Sequence, residues 1–142
     1  MDELHLETHE RFEMVNITDR VRQVIKNHRV ESGLAVIYSP HTTAAMTVNE
    51  SWDPDVIHDV LLFLQERIPA NFPGFRHREG NSDSHLMVNL IGASTTVLID
   101  RGELVLGQWQ GIFFCEFDGP RTRRFYVQVM RDSKNVDKLS QI

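Results

Sequence analysis

The stretch from Gly107 to Gly119 constrains the fold of this chain most strongly. On a regular strand its side chains divide between two faces, and both faces carry large apolar groups. One face holds Trp109, Phe113, Cys115 and Phe117, and the other holds Gln108, Gln110, Ile112, Phe114, Glu116 and Asp118. A carboxylate within so apolar a strand needs partners, because an unpaired buried polar group costs about 1–3 kcal/mol. Glu116 is therefore either a site residue or the polar half of an interface contact.

The remaining segments mix strand and helix patterns. Strands are predicted from Leu4, at Leu34–Tyr38, from His41 to Asn49, at Thr95–Ile99 and at Arg124–Met130. Helices are predicted after an N-cap at Thr18, after Asp53-Pro54, and as a short segment from Ser84 to Ile91. Five to seven strands, two longer helices and one short helix predict a single α+β domain with a mainly antiparallel sheet. We expect it to span residues 1–142, with a frayed tail over 132–142.

Charge and cysteine content narrow the function classes. The net charge is −5 and the basic residues are scattered, so we expect no nucleic-acid partner. No apolar run approaches the roughly 18–20 residues that cross a bilayer, so we expect no membrane association. The single cysteine, Cys115, cannot pair within the chain. It is typical of a buried thiol in a reducing compartment, and we expect a cytoplasmic protein.

The stretch from His77 to His85 is the most polar segment of the chain. It reads His-Arg-Glu-Gly-Asn-Ser-Asp-Ser-His and runs directly into a short apolar helix. The second histidine therefore lies near a helix N-terminus, where free backbone N–H groups favour anions. A segment this polar is usually a solvated loop. Its composition nevertheless indicates a candidate metal and anion site.

His41 is the third histidine of interest. It begins a stretch of period two that places Thr43 and Asn49 on the same face. Three histidines with an open coordination position suit a catalytic metal, most often zinc. The spacing of His77 and His85 matches no compact zinc signature. The alternative, that these are loop residues that never meet, therefore stays open.

Charged side chains flank these histidines. Glu79 and Asp83 could act as bases or orient an imidazole, although their ordinary roles are solvation and stabilisation of a helix start. Arg121, Arg123 and Arg124 could hold a phosphate, or could form an ion-paired edge. Both interpretations of each group stay open at the level of sequence.

Three blocks of the sequence resemble the YjbQ family, whose members are described as secondary thiamine-phosphate synthase-like. The first block is Ser39-Pro-His-Thr-Thr-Ala-Ala-Met-Thr-Val-Asn-Glu50, followed by Asp53-Pro-Asp-Val. The second is His77-x-Glu-Gly-Asn-x-Asp-x-His-Leu86. The third is Gly107-x-Trp-Gln-Gly-Ile with Cys-Glu-Phe-Asp-Gly-Pro-Arg121. The blocks occur in family order and extend over nearly the whole chain.

The resemblance implies an α+β fold built on a β-sheet sandwich, usually assembled as a homotrimer. It implies a site where His41, His77 and His85 gather with acidic residues of the same blocks, often with a bound divalent metal, for which we expect zinc. The activity attached to the family joins a pyrimidine diphosphate to a thiazole phosphate and yields thiamine phosphate. We therefore expect a small phosphorylated molecule as partner.

The expected site residues follow from the pattern and the resemblance together. The expected catalytic residues are Glu79, Asp83 and Glu116. The expected substrate-binding residues are Thr43, Asn49, Asn81, Ser82, Gln110 and Arg121. The expected metal ligands are His41, His77 and His85.

The chain departs from the family pattern in two places. Gln108 stands where the family usually has threonine, and Met87-Val88-Asn89 stands where it usually has Lys-Ser-Ser. The lysine and serines would have been natural phosphate contacts. Three functions are therefore weighed: a thiamine-phosphate-synthase-like enzyme, a metal-dependent hydrolase of another small phosphorylated or acyl substrate, and a non-catalytic oligomer that binds a ligand or metal. In the third, Trp109 and the strand Phe113–Phe117 would form the subunit contact.

Overall fold

The computed structural model describes residues 1–133. Within them the strands are β1 (Asp2–Glu7), β2 (Glu13–Asn16), β3 (Gly33–Tyr38), β4 (Ala44–Glu50), β5 (Ser94–Asp100), β6 (Glu103–Leu104), β7 (Gln110–Glu116) and β8 (Thr122–Arg131). The helices are α1 (Thr18–His28), α2 (Pro54–Arg67) and α3 (Ser82–Ile91). Most of the predicted frayed tail, from residue 134 onward, lies outside the described residues.

The strands form two antiparallel sheets. The larger has the order β1-β8-β3-β5-β6, and the smaller has the order β2-β7-β4. Each neighbouring pair in these sheets is antiparallel. This arrangement confirms the predicted α+β fold with mainly antiparallel sheets. The third helix is longer than expected, because it begins at Ser82 and spans 10 residues against 11 in α1.

Two hydrophobic cores lie on opposite faces of the smaller sheet. The first joins that sheet to the larger one and to α1, with Met46, Phe114 and Phe125 among its fully buried residues. The second joins the other face to α2 and α3, and contains Met87 and Phe117. The molecule is therefore a sandwich of two sheets with a further layer of helices, as expected for elements that each bury one apolar face.

Strand β7 lies between the two cores. Ile112 and Phe114 point into the first core, whereas Phe113, Cys115 and Phe117 point into the second, as the alternation predicts. The suggestion that the strand Phe113–Phe117 forms a subunit contact is wrong, because these side chains are buried inside their own chain. Because both faces of the strand are buried, these side chains are not available for contact with another subunit.

The start of the stretch Gly107–Gly119 departs from the predicted regular strand, because β7 begins only at Gln110. The preceding residues form a turn in which the side chain of Gln110 accepts the backbone N–H of Gly107 at 2.7 Å. Gly111 then enters β7 where a Cβ atom would lie 2.7 Å from the Cβ of Ser51. The glycine is therefore required by close approach of the chain after β4.

The starts of two helices test the capping predictions. Asp53 caps α2 by accepting the N–H of Asp55 at 2.9 Å, and Pro54 is the first helical residue, as predicted. The prediction that Thr18 caps α1 is wrong, because Ile17 occupies that position. The Thr18 hydroxyl instead accepts the N–H of Ile112 at 2.9 Å and thereby ties α1 to β7.

Candidate functional site

Three separate segments meet at one open pocket of about 340 Å³. They are the β3–β4 loop, the segment that leads into α3, and the turn between β7 and β8. The lining residues are Pro40, His41, Thr42, Thr43, His77, Glu79, Asn81, His85, Asp118, Arg121 and Arg123. We call this the imidazole pocket. The histidines are thus brought together by the fold, although 44 positions separate the outermost two in the sequence.

The β3–β4 loop fixes His41 at one side of the imidazole pocket. Ser39 is buried, and its hydroxyl donates to the Ala44 carbonyl at 2.9 Å and accepts the His41 N–H at 3.3 Å. The His41 Nε2 atom accepts the backbone N–H of Arg124 at 3.1 Å. Burial lowers the pKa of His41 below its ordinary value of 6.5, and the Arg123 guanidinium lowers it further. His41 is therefore held as a neutral ring with its proton on Nδ1.

His77 and His85 lie against each other in the imidazole pocket. Their rings are in edge-to-face contact, with centroids 5.1 Å apart. Gly80 allows the intervening loop to turn, because its φ of +73° lies in the left-handed region and its N–H donates to the His77 carbonyl at 3.2 Å. The exposed carboxylate of Glu79 lies 3.9 Å from the His77 Nε2 atom. Glu79 is thus placed to interact with a ligand or a water molecule beside His77.

The first turn of α3 anchors His85. The Ser84 hydroxyl is fully buried and donates to the Phe117 carbonyl at 2.6 Å. Asp83 is only 1% exposed and accepts two hydrogen bonds from Arg11 at 3.1 Å. These contacts fix the helix N-terminus against β7 and the β1–β2 loop. Asp83 is therefore an anchor of α3 and does not line the imidazole pocket.

The floor of the pocket is a buried ion pair between Glu116 and Arg123. Their side chains are 0% and 3% exposed, and the Arg123 Nε atom donates to Glu116 at 2.8 Å. Glu116 also accepts the Thr8 hydroxyl at 2.7 Å and the Asp118 N–H at 3.0 Å. Arg123 donates in addition to the Thr43 hydroxyl at 2.8 Å. With its lone pairs filled, Glu116 orders the floor, and an acid/base role at a ligand does not fit its position.

Asp118 lines the pocket, although it was not predicted from the sequence to be a site residue. One of its carboxylate oxygens accepts from Asn81 and from Arg121, each at 2.8 Å. The Asp118 carbonyl also accepts from the Arg121 Nε atom at 2.8 Å. Arg121 remains half exposed, so its guanidinium is oriented and still open to a ligand. The sequence feature that could have identified Asp118 is its position in a turn directly after a buried strand.

The fold separates Asn49, Gln110 and Ser82 from the imidazole pocket. Asn49 lies at the far end of β4 and lines a small apolar cleft with Met14. Gln110 lines a polar cleft at the start of α1. Ser82 begins α3 but is not among the lining residues. The prediction that His41 and Asn49 share a strand face is wrong, because His41 precedes β4, which begins at Ala44.

The structure also places residues 87–89, which depart from the family pattern. Met87 is fully buried in the second core, so it does not point into the imidazole pocket. Val88 and Asn89 line an adjacent cavity, which shares His41 and His85 with the imidazole pocket. The substitution at position 87 therefore affects packing, and those at 88 and 89 affect the adjacent cavity.

The donor set fits a metal ion in part. Two imidazoles, His77 and His85, face each other with Glu79 nearby. The Nε2 atom of His41, however, is already engaged by a backbone N–H. Within residues 1–133, no three histidine, cysteine, aspartate or glutamate side chains are grouped closely enough to hold one ion. A zinc ion on all three histidines stays a prediction, and the facing pair is the part of the set that this geometry favours.

Comparison with known proteins identifies the family. A model described as "UPF0047 protein YjbQ-like" matches residues 2–132. The UPF0047 protein YugU of Bacillus subtilis is 46% identical over 127 residues, which cover 89% of this chain and 96% of that protein. This chain belongs to the YjbQ/UPF0047 family. A second YjbQ/UPF0047 relative, from Methanocaldococcus jannaschii, is 50% identical over 127 residues, covering 89% of this chain and 91% of the relative.

Solved structures of YjbQ/UPF0047 proteins share the fold. An uncharacterised family member from Clostridium acetobutylicum superimposes with a TM-score of 0.89 at 41% identity, covering 92% of this chain and 100% of that one. A protein of unknown function from Sulfolobus solfataricus gives 0.87 at 31% identity, covering 92% and 96%. In the part of the chain that the structure describes, no helix is both long and apolar enough to cross a membrane.

Proposed function

We propose that this YjbQ/UPF0047 protein is an enzyme that binds a small phosphorylated molecule in the imidazole pocket and catalyses group transfer there. The observation that carries the proposal is the convergence of His41, His77 and His85 on one open pocket that also presents the Arg121 guanidinium. Titratable groups gathered in a concave site commonly transfer protons and bind charged ligands.

Anion binding is assigned to the wall formed by Arg121 and Thr43. Arg121 is half exposed, and its guanidinium is held in a fixed direction by hydrogen bonds to Asp118. The Thr43 hydroxyl accepts from Arg123, which leaves its own O–H free to donate towards the pocket. A phosphate that approaches this wall gains charge-assisted hydrogen bonds.

Proton transfer is assigned to Glu79, and His77 and His85 are assigned to holding a divalent ion. Of the three carboxylates expected to be catalytic, Glu79 lines the pocket, whereas Asp83 and Glu116 are buried and each is paired with an arginine. A divalent ion held by His77 and His85 would supply charge neutralisation at the phosphate, and zinc is the ion to test first. Among the histidines, His41 is assigned to hydrogen bonding, because its ring is held neutral.

The reaction to test first is the joining of a pyrimidine diphosphate to a thiazole phosphate, as the family resemblance implies. Purified protein is incubated with both substrates, with and without zinc, and thiamine phosphate is quantified by fluorescence after oxidation. His85→Ala removes one of the two imidazoles that would hold the ion and should lower the rate by at least about 100-fold, because losing even an outer partner of a metal site costs about 10–100-fold.

The matched control for this assay is His58→Ala. His58 lies on the exposed side of α2, where its ring bonds to Asp59 at 3.0 Å, and it does not line the imidazole pocket. Its removal should leave the rate unchanged. Product formation that is indifferent to His85→Ala would sink the proposal, because the activity would then not belong to the imidazole pocket.

A second candidate is hydrolysis of a single small phosphorylated or acyl substrate, with water as the acceptor. The observation that favours it is the exposure of Glu79, whose side chain is 75% accessible and adjoins His77. Water therefore has direct access to both groups. A panel of phosphate and ester substrates, assayed with and without a chelator, separates this reaction from synthesis by its product.

A homotrimer and a cytoplasmic location complete the proposal. Trp52 and Trp109 support an assembled state, since they are 76% and 47% exposed and their rings lie 5.5 Å apart. Exposed aromatic side chains of this kind are enriched at subunit contacts. Light scattering on the purified protein gives the mass of the assembly. A trimer without any measurable activity would instead favour the non-catalytic ligand-binding protein.

A further inference from the structure

We propose that the cavity next to the imidazole pocket is a second ligand site, which binds an uncharged ring-containing group beside His41 and His85. The inference rests on the proposed function, because it makes these two histidines the boundary between two ligands. It adds the second ligand site and the chemical class of its occupant.

The adjacent cavity shares part of its wall with the imidazole pocket. Its volume is about 370 Å³, close to the 340 Å³ of the imidazole pocket. Pro40, His41, Thr42 and His85 line both spaces. A ligand in either space therefore contacts the same two imidazoles.

The lining of the two spaces differs in charge. The imidazole pocket contains the carboxylates of Glu79 and Asp118 and the guanidinium of Arg121. Among the described residues that line the adjacent cavity, none is Asp, Glu, Lys or Arg. A charged group placed there would find, among these described residues, no carboxylate, ammonium or guanidinium to pair with, and burying an unpaired charge costs more than burying an uncharged group. The charged end of a ligand is thus directed to the imidazole pocket.

The walls of the adjacent cavity favour a ring. Tyr38 contributes an aromatic face, and Val88 and Ala93 contribute aliphatic surface. The Asn89 side chain is exposed and provides one amide, which can pair with a heteroatom of the ring. The volume lies near the lower end of small-molecule sites, about 300–1,000 Å³, and suits a one-ring or two-ring group.

The walls are also preformed. The Ser39 N–H donates to the Ala93 carbonyl at 2.8 Å, and the Ser39 hydroxyl donates to the Ala44 carbonyl at 2.9 Å. These bonds connect the β3–β4 loop to the start of β5 and to β4. Two ligands held on either side of fixed imidazoles are placed in proximity, which is the arrangement that a two-substrate reaction needs.

The test uses two simple probes on the full-length, ¹⁵N-labelled protein: indole for the adjacent cavity and orthophosphate for the imidazole pocket. Indole should shift the backbone amide signals of Val88 and Ala93, and it should still bind when orthophosphate is saturating. Displacement of indole by orthophosphate, or an absence of indole binding, would overturn the proposal.

Asn89→Trp tests the location by filling the cavity, and Leu90→Trp is its matched control. Leu90 is the next residue on α3, is 69% exposed and does not line the cavity. Asn89→Trp should raise the Kd of indole at least about tenfold, whereas Leu90→Trp should leave it within about twofold. Equal effects of the two variants would place indole elsewhere and contradict the proposal.

The two proposals fail in different ways. Arg121→Ala should weaken orthophosphate binding and leave indole binding intact. If orthophosphate does not bind while indole binding remains sensitive to Asn89→Trp, the proposed function is wrong and the second ligand site stands. If orthophosphate binds as expected while indole is insensitive to Asn89→Trp, the second ligand site is wrong and the proposed function is unaffected.

Discussion

The buried pair Glu116–Arg123 gives the sharpest prediction about stability. Replacing Arg123 by methionine keeps much of the side-chain volume but leaves the Glu116 carboxylate 0% exposed and without its cation. Only the Thr8 hydroxyl and the Asp118 N–H remain as donors to it. Removing one partner of a buried pair costs about 3–5 kcal/mol, a large share of the roughly 5–15 kcal/mol that stabilises a typical domain.

The assay is urea denaturation at pH 7, followed by circular dichroism at one fixed protein concentration. Arg121→Met is the matched control, because the same substitution two residues earlier removes a half-exposed arginine. We expect it to lower the free energy of unfolding by less than about 1 kcal/mol. The double variant Glu116→Leu/Arg123→Met should cost less than the sum of its single substitutions, since no charge is left buried. Equal losses for Arg123→Met and Arg121→Met would refute this account of the pocket floor.

Three further predictions follow from individual contacts. Because the pKa of His41 is lower in the folded state than its ordinary 6.5, the unfolded chain binds more protons as the pH falls through that value. Below about pH 6.5 the free energy of unfolding should therefore decrease as the pH falls. The variant His41→Gln, compared with the unaltered protein with chelator in both samples, should show a smaller decrease. Gly111→Ala should destabilise by about 1–3 kcal/mol through its contact with Ser51; Ser51→Gly in the same chain should recover part of the loss in thermal melts. Burial raises the pKa of the Cys115 thiol to about 12, so it should react with a thiol reagent at pH 8 only on unfolding, and rapid labelling of the folded protein would contradict this.

Much of the fold could be predicted from local pattern, because side-chain alternation and caps are local properties. The two faces of β7 and the Asp53 cap of α2 follow directly from neighbouring residues. Thr18 could not be assigned in this way. Its hydroxyl is an ordinary cap by type, and only packing against Ile112 of β7 gives it a different partner.

The residues of the candidate site were likewise predicted from the sequence only in part. Residue chemistry in the sequence, with the family resemblance, selected His41, His77 and His85, and the imidazole pocket brings all three together. Asn49 was selected by strand period, and the fold places it in another cleft because the regular strand begins only after His41. Gln110 was selected with the third block of the family resemblance, and it lines a separate polar cleft at the start of α1.

The amino-acid sequence by itself determined the polar segment 77–85, the apolar strand and the residue types that suit phosphate and metal chemistry. Tertiary structure alone decided which charges are free to act. Glu79 and Glu116 are the same amino acid, yet one side chain is 75% exposed beside His77 and the other is completely buried against Arg123. The physical reason is that burial and pairing depend on segments far apart in the chain, here β7, β8 and the loop that carries Thr8.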